Sequence, residues 1–167
     1  GISALKSWTR KASATVIYDS RVDPFTNQGL FDKVKGKPDI ALVAFTADGD
    51  VFGGFYNVVV EEQGKEFYDP NIFVFSLESH GRCMTPQRFV EDESAKRGFT
   101  YVYFYKNASC FVDVGGDTGD LSIGNGKSNT FCSRLSKRFK GVEDSTLTGK
   151  PSRANFTCTR IVAVHLR

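Results

Sequence analysis

Two apolar runs, Ile40–Phe45 and Val51–Val60, are joined by Asp48-Gly49-Asp50, and this arrangement constrains the chain more than any other stretch. Glycine accepts positive φ, and aspartate hydrogen-bonds nearby backbone, so the three residues make a turn and the runs make a β-hairpin. Gly53-Gly54 interrupts the second run. Glycine weakens a strand, so a pair inside one marks a bulge or a backbone packed closely against something; a ligand site is the weaker alternative.

The rest of the chain follows the same pattern. Fifteen Phe and six Tyr against one Met favour strands around an aromatic core over a helical bundle. Ser3–Ala12 reads as a short amphipathic helix with Ser3 as cap and Leu5 and Trp8 on one face. Strands are expected at Ala14–Tyr18, Ile72–Leu77, Phe99–Tyr105, Cys110–Val114 and Leu121–Ile123. Phe156–Leu166 reads as the closing strand, alternating Phe156, Cys158, Arg160, Val162, Val164 and Leu166 against Ile161, Ala163 and His165. A second short helix at Asn27–Lys35 stops at Gly36 and Pro38, and a helical turn is possible near Arg134–Phe139. Glu78–Arg97 reads as a surface excursion. The expected fold is a β-rich α+β domain, two antiparallel sheets packed as a sandwich and flanked by a few short helices. Residues 1–12 read as an N-terminal helix preceded by a cloning remnant, and 13–167 as a single domain.

No apolar run approaches the ~20 residues that span a bilayer, and no export signal opens the sequence. The four cysteines lie far apart without a Cys-x-x-Cys pair, as reduced thiols of a cytoplasmic or nuclear protein would. The net charge of +3 conceals a gradient: residues 1–40 carry +3, residues 41–125 carry −7, and residues 126–167 carry +7. A basic C-terminal quarter can steer an acidic partner, and more commonly is a solvated face.

Candidate chemistry is sparse. Gly124–Ser128 mimics the end of a P-loop, but Leu121 stands where its first glycine belongs. Asp113, Asp117 and Asp120 could surround a hard cation, yet the EF-hand spacing is absent and a glycine-rich turn explains them. His80 and Cys83 lack the two further ligands of a zinc site. Tyr101, Tyr103 and Tyr105 share a face that could stack bases if exposed; the ordinary expectation is a core face with hydroxyls at the rim. Adjacent Glu61 and Glu62 diverge and make a poor acid–base pair. No catalytic constellation, cofactor site or metal site emerges, so the residues point to binding rather than catalysis.

Four segments in order carry a resemblance. Val51-Phe52-Gly53-Gly54-Phe55 resembles the phenylalanine-glycine-glycine strand of the TLDc domain found in eukaryotic oxidation-resistance proteins. Asp69–Leu77 is similar to that family's aspartate followed by a strand with Phe73, Phe75, Ser76 and Leu77. Gly115, Gly116, Gly119, Asp120 and Leu121 resemble its glycine-rich turn and following strand, although Asp117-Thr118 enlarges the turn. Ser128-Asn129 and Phe156–Leu166 fall where the family has an asparagine-bearing loop and its last strand.

The resemblance implies a β-sandwich with no established catalytic chemistry, protection against oxidative stress, and, in several members, binding to the vacuolar proton-pumping ATPase (V-ATPase). Arg134, Lys137, Arg138 and Lys140 are the candidate partner surface. Two alternatives stand beside this reading: a nucleic-acid-binding stress regulator using the basic C-terminal region, and a peroxide scavenger reacting through Cys132, which lies near that basic run.

Overall fold

In the computed structural model, which describes residues 1–94, 99–116, 120–125 and 130–167, two short helices accompany eleven strands among the described residues. Helix α1 (Ile2–Thr9), strand β1 (Ala14–Asp19) and helix α2 (Asn27–Val34) lead into β2 (Ile40–Thr46) and β3 (Val51–Tyr56). Strands β4 (Glu66–Tyr68), β5 (Phe73–Glu78), β6 (Gln87–Val90), β7 (Tyr101–Phe104) and β8 (Cys110–Gly115) follow. The chain ends with β9 (Asp120–Gly124), β10 (Phe131–Ser133), a single 3-10 turn at Leu135–Lys137, and β11 (Cys158–Leu166).

These strands form two antiparallel sheets, a six-stranded one in the order β1-β11-β2-β3-β5-β6 and a five-stranded one in the order β10-β9-β8-β7-β4. Their inner faces enclose one core, in which Leu42, Phe52 and Val74 of the larger sheet meet Val102, Phe104, Val114 and Leu121 of the smaller. Leu30, Phe31 and Val34 of α2 enter the same core. The helix starts at Thr26, whose Oγ1 accepts from the Gly29 amide at 2.9 Å.

The larger sheet is also apolar on its outer face, where Ala41, Val43, Phe55, Phe73, Phe75, Val162 and Val164 cluster with Leu5 of α1. Trp8 packs edge-on to Phe73 with ring centroids 6.1 Å apart. Helix α1 is therefore the cover of that face, which explains why β2 and β11 read as nearly continuous apolar runs: both their faces are buried. The helix begins at Gly1 without a side-chain cap, so Ser3 is an interior residue and not its cap, and it ends at Thr9 with Arg10 in the left-handed region.

Three details depart from the sequence reading. Strand β3 ends at Tyr56, not Val60, because the Asp69 carboxylate captures the amides of Asn57 (2.5 Å) and Val58 (3.1 Å) that would have continued the ladder. A bulge between Cys158 and Arg160 reverses the side-chain phase of β11, moving Cys158 to the inner core while Val162 and Val164 stay outside. Strands β4, β6 and β10 were not expected; each is a three- or four-residue edge strand, too short to show alternation.

Candidate functional site

Gly53 and Gly54 lie in register between β2 and β5, so the pair is not a bulge. A Cβ on Gly54 would sit 2.7 Å from Val114 Cγ1 on the opposite sheet, and one on Gly53 would meet the backbone of Leu42 and the Phe75 ring. The glycines allow close approach, which leaves no room for a ligand. The other motif residues are also architectural. Asp69 is buried and accepts from three amides, the third being Asn71 at 2.8 Å. Phe52 lies in the inner core, Phe73 and Phe75 in the outer cluster with Leu77 packed against it, and Leu121 in the inner core. Ser76 is buried, and its hydroxyl has no hydrogen-bond partner among the described residues. Gly115 has φ +134°, and a Cβ on Gly116 would lie 3.1 Å from the Arg138 guanidinium. Asp117, Thr118 and Gly119, like Gly126–Ser128 of the P-loop mimic and Asn129 of the asparagine-bearing loop, lie outside the described residues.

The basic segment divides. Leu135 and Phe139 anchor the 3-10 turn in the core, which leaves Arg134, Lys137 and Lys140 exposed. Arg138 does not belong to that surface. It is 2 % exposed, donates to Thr100 Oγ1 at 3.1 Å and lies 3.7 Å from Glu91. The sequence gradient of charge is also partly undone by folding, since Lys150 pairs with Asp48 and Arg160 with Asp19.

Cys132 is likewise not the exposed, electropositive thiol that peroxide chemistry needs. It is 2 % exposed, and burial, with Asp120 and Asp144 contributing, pushes its thiol far above the usual range. Cys110 is raised by burial and by Asp113, and Cys158 by burial to about 12. All four cysteines are free thiols, and Cys83 is the one that is partly exposed.

The tyrosine face points outward instead of into the core: Val102 and Phe104 face inward, while Tyr101, Tyr103 and Tyr105 are half-buried on the outer face. Carboxylates occupy this face. The Tyr105 hydroxyl donates to Asp113 at 2.5 Å, Ser122 donates to Asp113 at 2.6 Å, and Tyr68 donates to Glu66 at 2.6 Å. Such a surface repels phosphate, and Asp113 is committed to hydroxyl donors instead of a cation. Among the described residues no group of three or more His, Cys, Asp or Glu side chains is arranged to hold a metal.

One polar constellation escaped the sequence reading. At one end of the sandwich the Asp50 carboxylate, 2 % exposed, accepts from Arg82 Nη2 at 2.6 Å and faces His80 Nδ1 at 2.9 Å. Arg82 also donates to the carbonyls of Thr146 (2.8 Å) and Leu147 (3.0 Å). Asp50 was legible only as a turn residue, and its burial, the signal that demands a partner, needs the fold. An Asp–His pair can orient a general base; among the described residues no hydroxyl or thiol is hydrogen-bonded to the His80 ring. The arrangement instead ties the central hairpin to the loop after β5 and to the 143–149 turn.

Among the described residues no helix is long and apolar enough to cross a membrane. None of the curated proteins compared with the chain matches it. The TLDc domain family model does, over residues 2–161, a span that runs from α1 into the first residues of β11. With the phenylalanine-glycine-glycine strand, the buried Asp69 and the two-sheet sandwich in place, the chain belongs to the TLDc domain family.

Proposed function

We propose that this domain acts without catalysis, as an interaction module in protection against oxidative stress, and that its partner is the vacuolar proton-pumping ATPase. Membership of the TLDc family across nearly the whole chain carries the reading. The burial of Cys110, Cys132 and Cys158 supports it indirectly, because direct scavenging through Cys132 would need an accessible thiolate. The contact we favour is the turn that presents Arg134, Lys137 and Lys140, held rigid by Leu135 and Phe139 beneath it. Nucleic-acid binding is disfavoured by the removal of Arg138 from the surface and by the carboxylates beside the tyrosines.

The test is binding of the purified domain to detergent-solubilised V-ATPase and to its detached peripheral sector, followed by surface interferometry. Saturable binding weakened by R134E/K137E supports the reading. No binding to either preparation, together with unchanged peroxide survival in cells lacking the protein, refutes it.

A further inference from the structure

Between β5 and β6 the chain runs over an exposed loop whose stem is fixed and whose crest is not. His80 and Gly81, both with positive φ, turn the chain out of the sheet. The Ser79 hydroxyl accepts from the Cys83 amide at 2.7 Å, and Arg82 donates to Asp50, Thr146 and Leu147. Beyond Cys83 these ties stop. Among the described residues no hydrogen bond or ion pair holds Met84, Thr85 or Pro86. Met84 is 98 % exposed, and Thr85 and Pro86 are exposed beside it. At Gln87 the chain enters β6, an edge strand whose ladder partner is β5.

This crest carries Thr85-Pro86-Gln87-Arg88, the one place in the chain where a hydroxyl residue precedes a proline; the other four prolines follow Asp23, Lys37, Asp69 and Lys150. Each residue of the four has a use to a protein kinase that reads an extended substrate. Thr85 supplies the hydroxyl, and the proline after it disfavours a helical backbone there. Pro86 has no N–H, so a kinase groove without an acceptor at that position selects it over residues whose amide would be left unsatisfied. Gln87 and Arg88 are already extended in β6, and Arg88 is exposed. The Arg88 Nη1 donates to the Trp8 carbonyl at 2.9 Å, an exposed bond that water can replace when the guanidinium turns to an acidic subsite. Ser136 lies in a basic run too, but Leu135, Arg138 and Phe139 around it are buried, so a kinase would have to dismantle the turn to reach it.

We propose that Thr85 is a phosphorylation site for a proline-directed serine/threonine protein kinase that reads a cation three residues downstream, with ATP as the phosphoryl donor. The Thr85 Oγ1 attacks the γ-phosphorus of ATP, the bond to the β–γ bridging oxygen breaks, ADP leaves, and the hydroxyl proton passes to the kinase's catalytic carboxylate. The product adds about −1.5 to −2 of charge at pH 7 between Arg82 and Arg88, at a position whose side chain has no partner to lose among the described residues. The inference goes beyond the interaction-module reading and does not depend on the pump as partner, so either can fail alone.

The test incubates the full 167-residue chain with a purified cyclin-dependent kinase, its cyclin and magnesium-ATP, beside a peptide spanning residues 82–90, and locates the phosphate by mass spectrometry. The expected result is one phosphate per folded chain, on Thr85. Its kcat/KM should lie within ~10-fold of the peptide's, since no contact of the fold has to open first. T85A should take up none. P86A should lose about 10-fold or more through the amide it restores, and R88Q a similar factor through the missing cation. An unchanged thermal midpoint verifies that each variant folds.

No incorporation into the folded chain, or a deficit against the peptide beyond ~10-fold, overturns the proposal, because the crest would then be closed to the kinase. Phosphate that persists in T85A overturns it as well. So do P86A and R88Q both phosphorylated at the parent's rate, since neither residue would then be read.

Discussion

Replacing Arg82 with alanine tests whether the Asp50 junction holds the sandwich end together. The carboxylate is 3 % exposed by side chain, and Arg82 supplies its shortest contact, 2.6 Å. Removing one partner of a buried ion pair costs about 3–5 kcal/mol, because the remaining charge stays desolvated. Here the Arg82 side chain is 29 % exposed, so water reaches part of the vacated space, and the Thr146 and Leu147 carbonyls can be rehydrated. The lower figure, ~3 kcal/mol, is therefore expected. For a domain of this size it corresponds to a fall in Tm of about 6–12 °C. Urea unfolding at pH 7 gives the stability change, with K150A as control, since the exposed Lys150–Asp48 pair should contribute under ~1 kcal/mol. If the cost arises from a stranded charge, D50N introduced into R82A should recover ~1 kcal/mol or more. An R82A variant within ~1 kcal/mol of the parent, or no relief from D50N, would refute the reasoning.

Further outcomes follow from other contacts. Gly54→Ala, with its Cβ 2.7 Å from Val114 Cγ1, should cost about 1–3 kcal/mol in urea unfolding, and Val114→Ala should relieve part of that cost in the double variant. In the native state a colourimetric disulfide reagent should label Cys83 first, with Cys110, Cys132 and Cys158 reacting only on denaturation; rapid labelling of three thiols would contradict their burial. Asp19 is held below the usual carboxylate range, chiefly by its hydrogen bond from Arg160. A depressed carboxylate contributes stability above its unfolded pKa of about 3.9 and loses it as pH falls through the lower folded value. Arg160→Gln should therefore flatten the acid limb of stability below about pH 4, and an unaltered limb would exclude this contribution. The buried Tyr56 hydroxyl has no hydrogen-bond partner among the described residues, so Tyr56→Phe should leave thermal stability unchanged or raise it; a loss above ~1 kcal/mol would contradict this.

The central hairpin, both helices and the two-sheet architecture were legible because each rests on a periodicity that one segment displays by itself. Ile40–Phe45 and Leu30, Phe31 and Val34 are examples. What was not legible depends on contacts between segments distant in sequence. Arg138 sits in a run of lysines and arginines and looks solvent-facing, yet Glu91 and Thr100 draw it inside. Cys132 looks electropositive beside Arg134, but the strand that carries it pairs with β9 and brings Asp120 close instead. Tyr101, Tyr103 and Tyr105 gave the period of β7 correctly, while the choice of face went to Val102 and Phe104, which fit the dry interior better than a hydroxyl. The phase of β11 failed at a single inserted residue, because a bulge leaves composition unchanged while turning every later side chain over.

Strand β11, the last in sequence, lies between β1 and β2 and pairs Leu166 with Ala14. The larger sheet therefore cannot close until the ribosome has delivered Cys158–Leu166, because β11 is the strand that β1 pairs with. Until then β1 and β2 present open edges, and the apolar outer row of Ala41 and Val43 is only partly covered. Nascent chains of this domain should engage chaperones until β11 has emerged, and a premature stop codon before residue 158 should yield aggregated product instead of a smaller folded one.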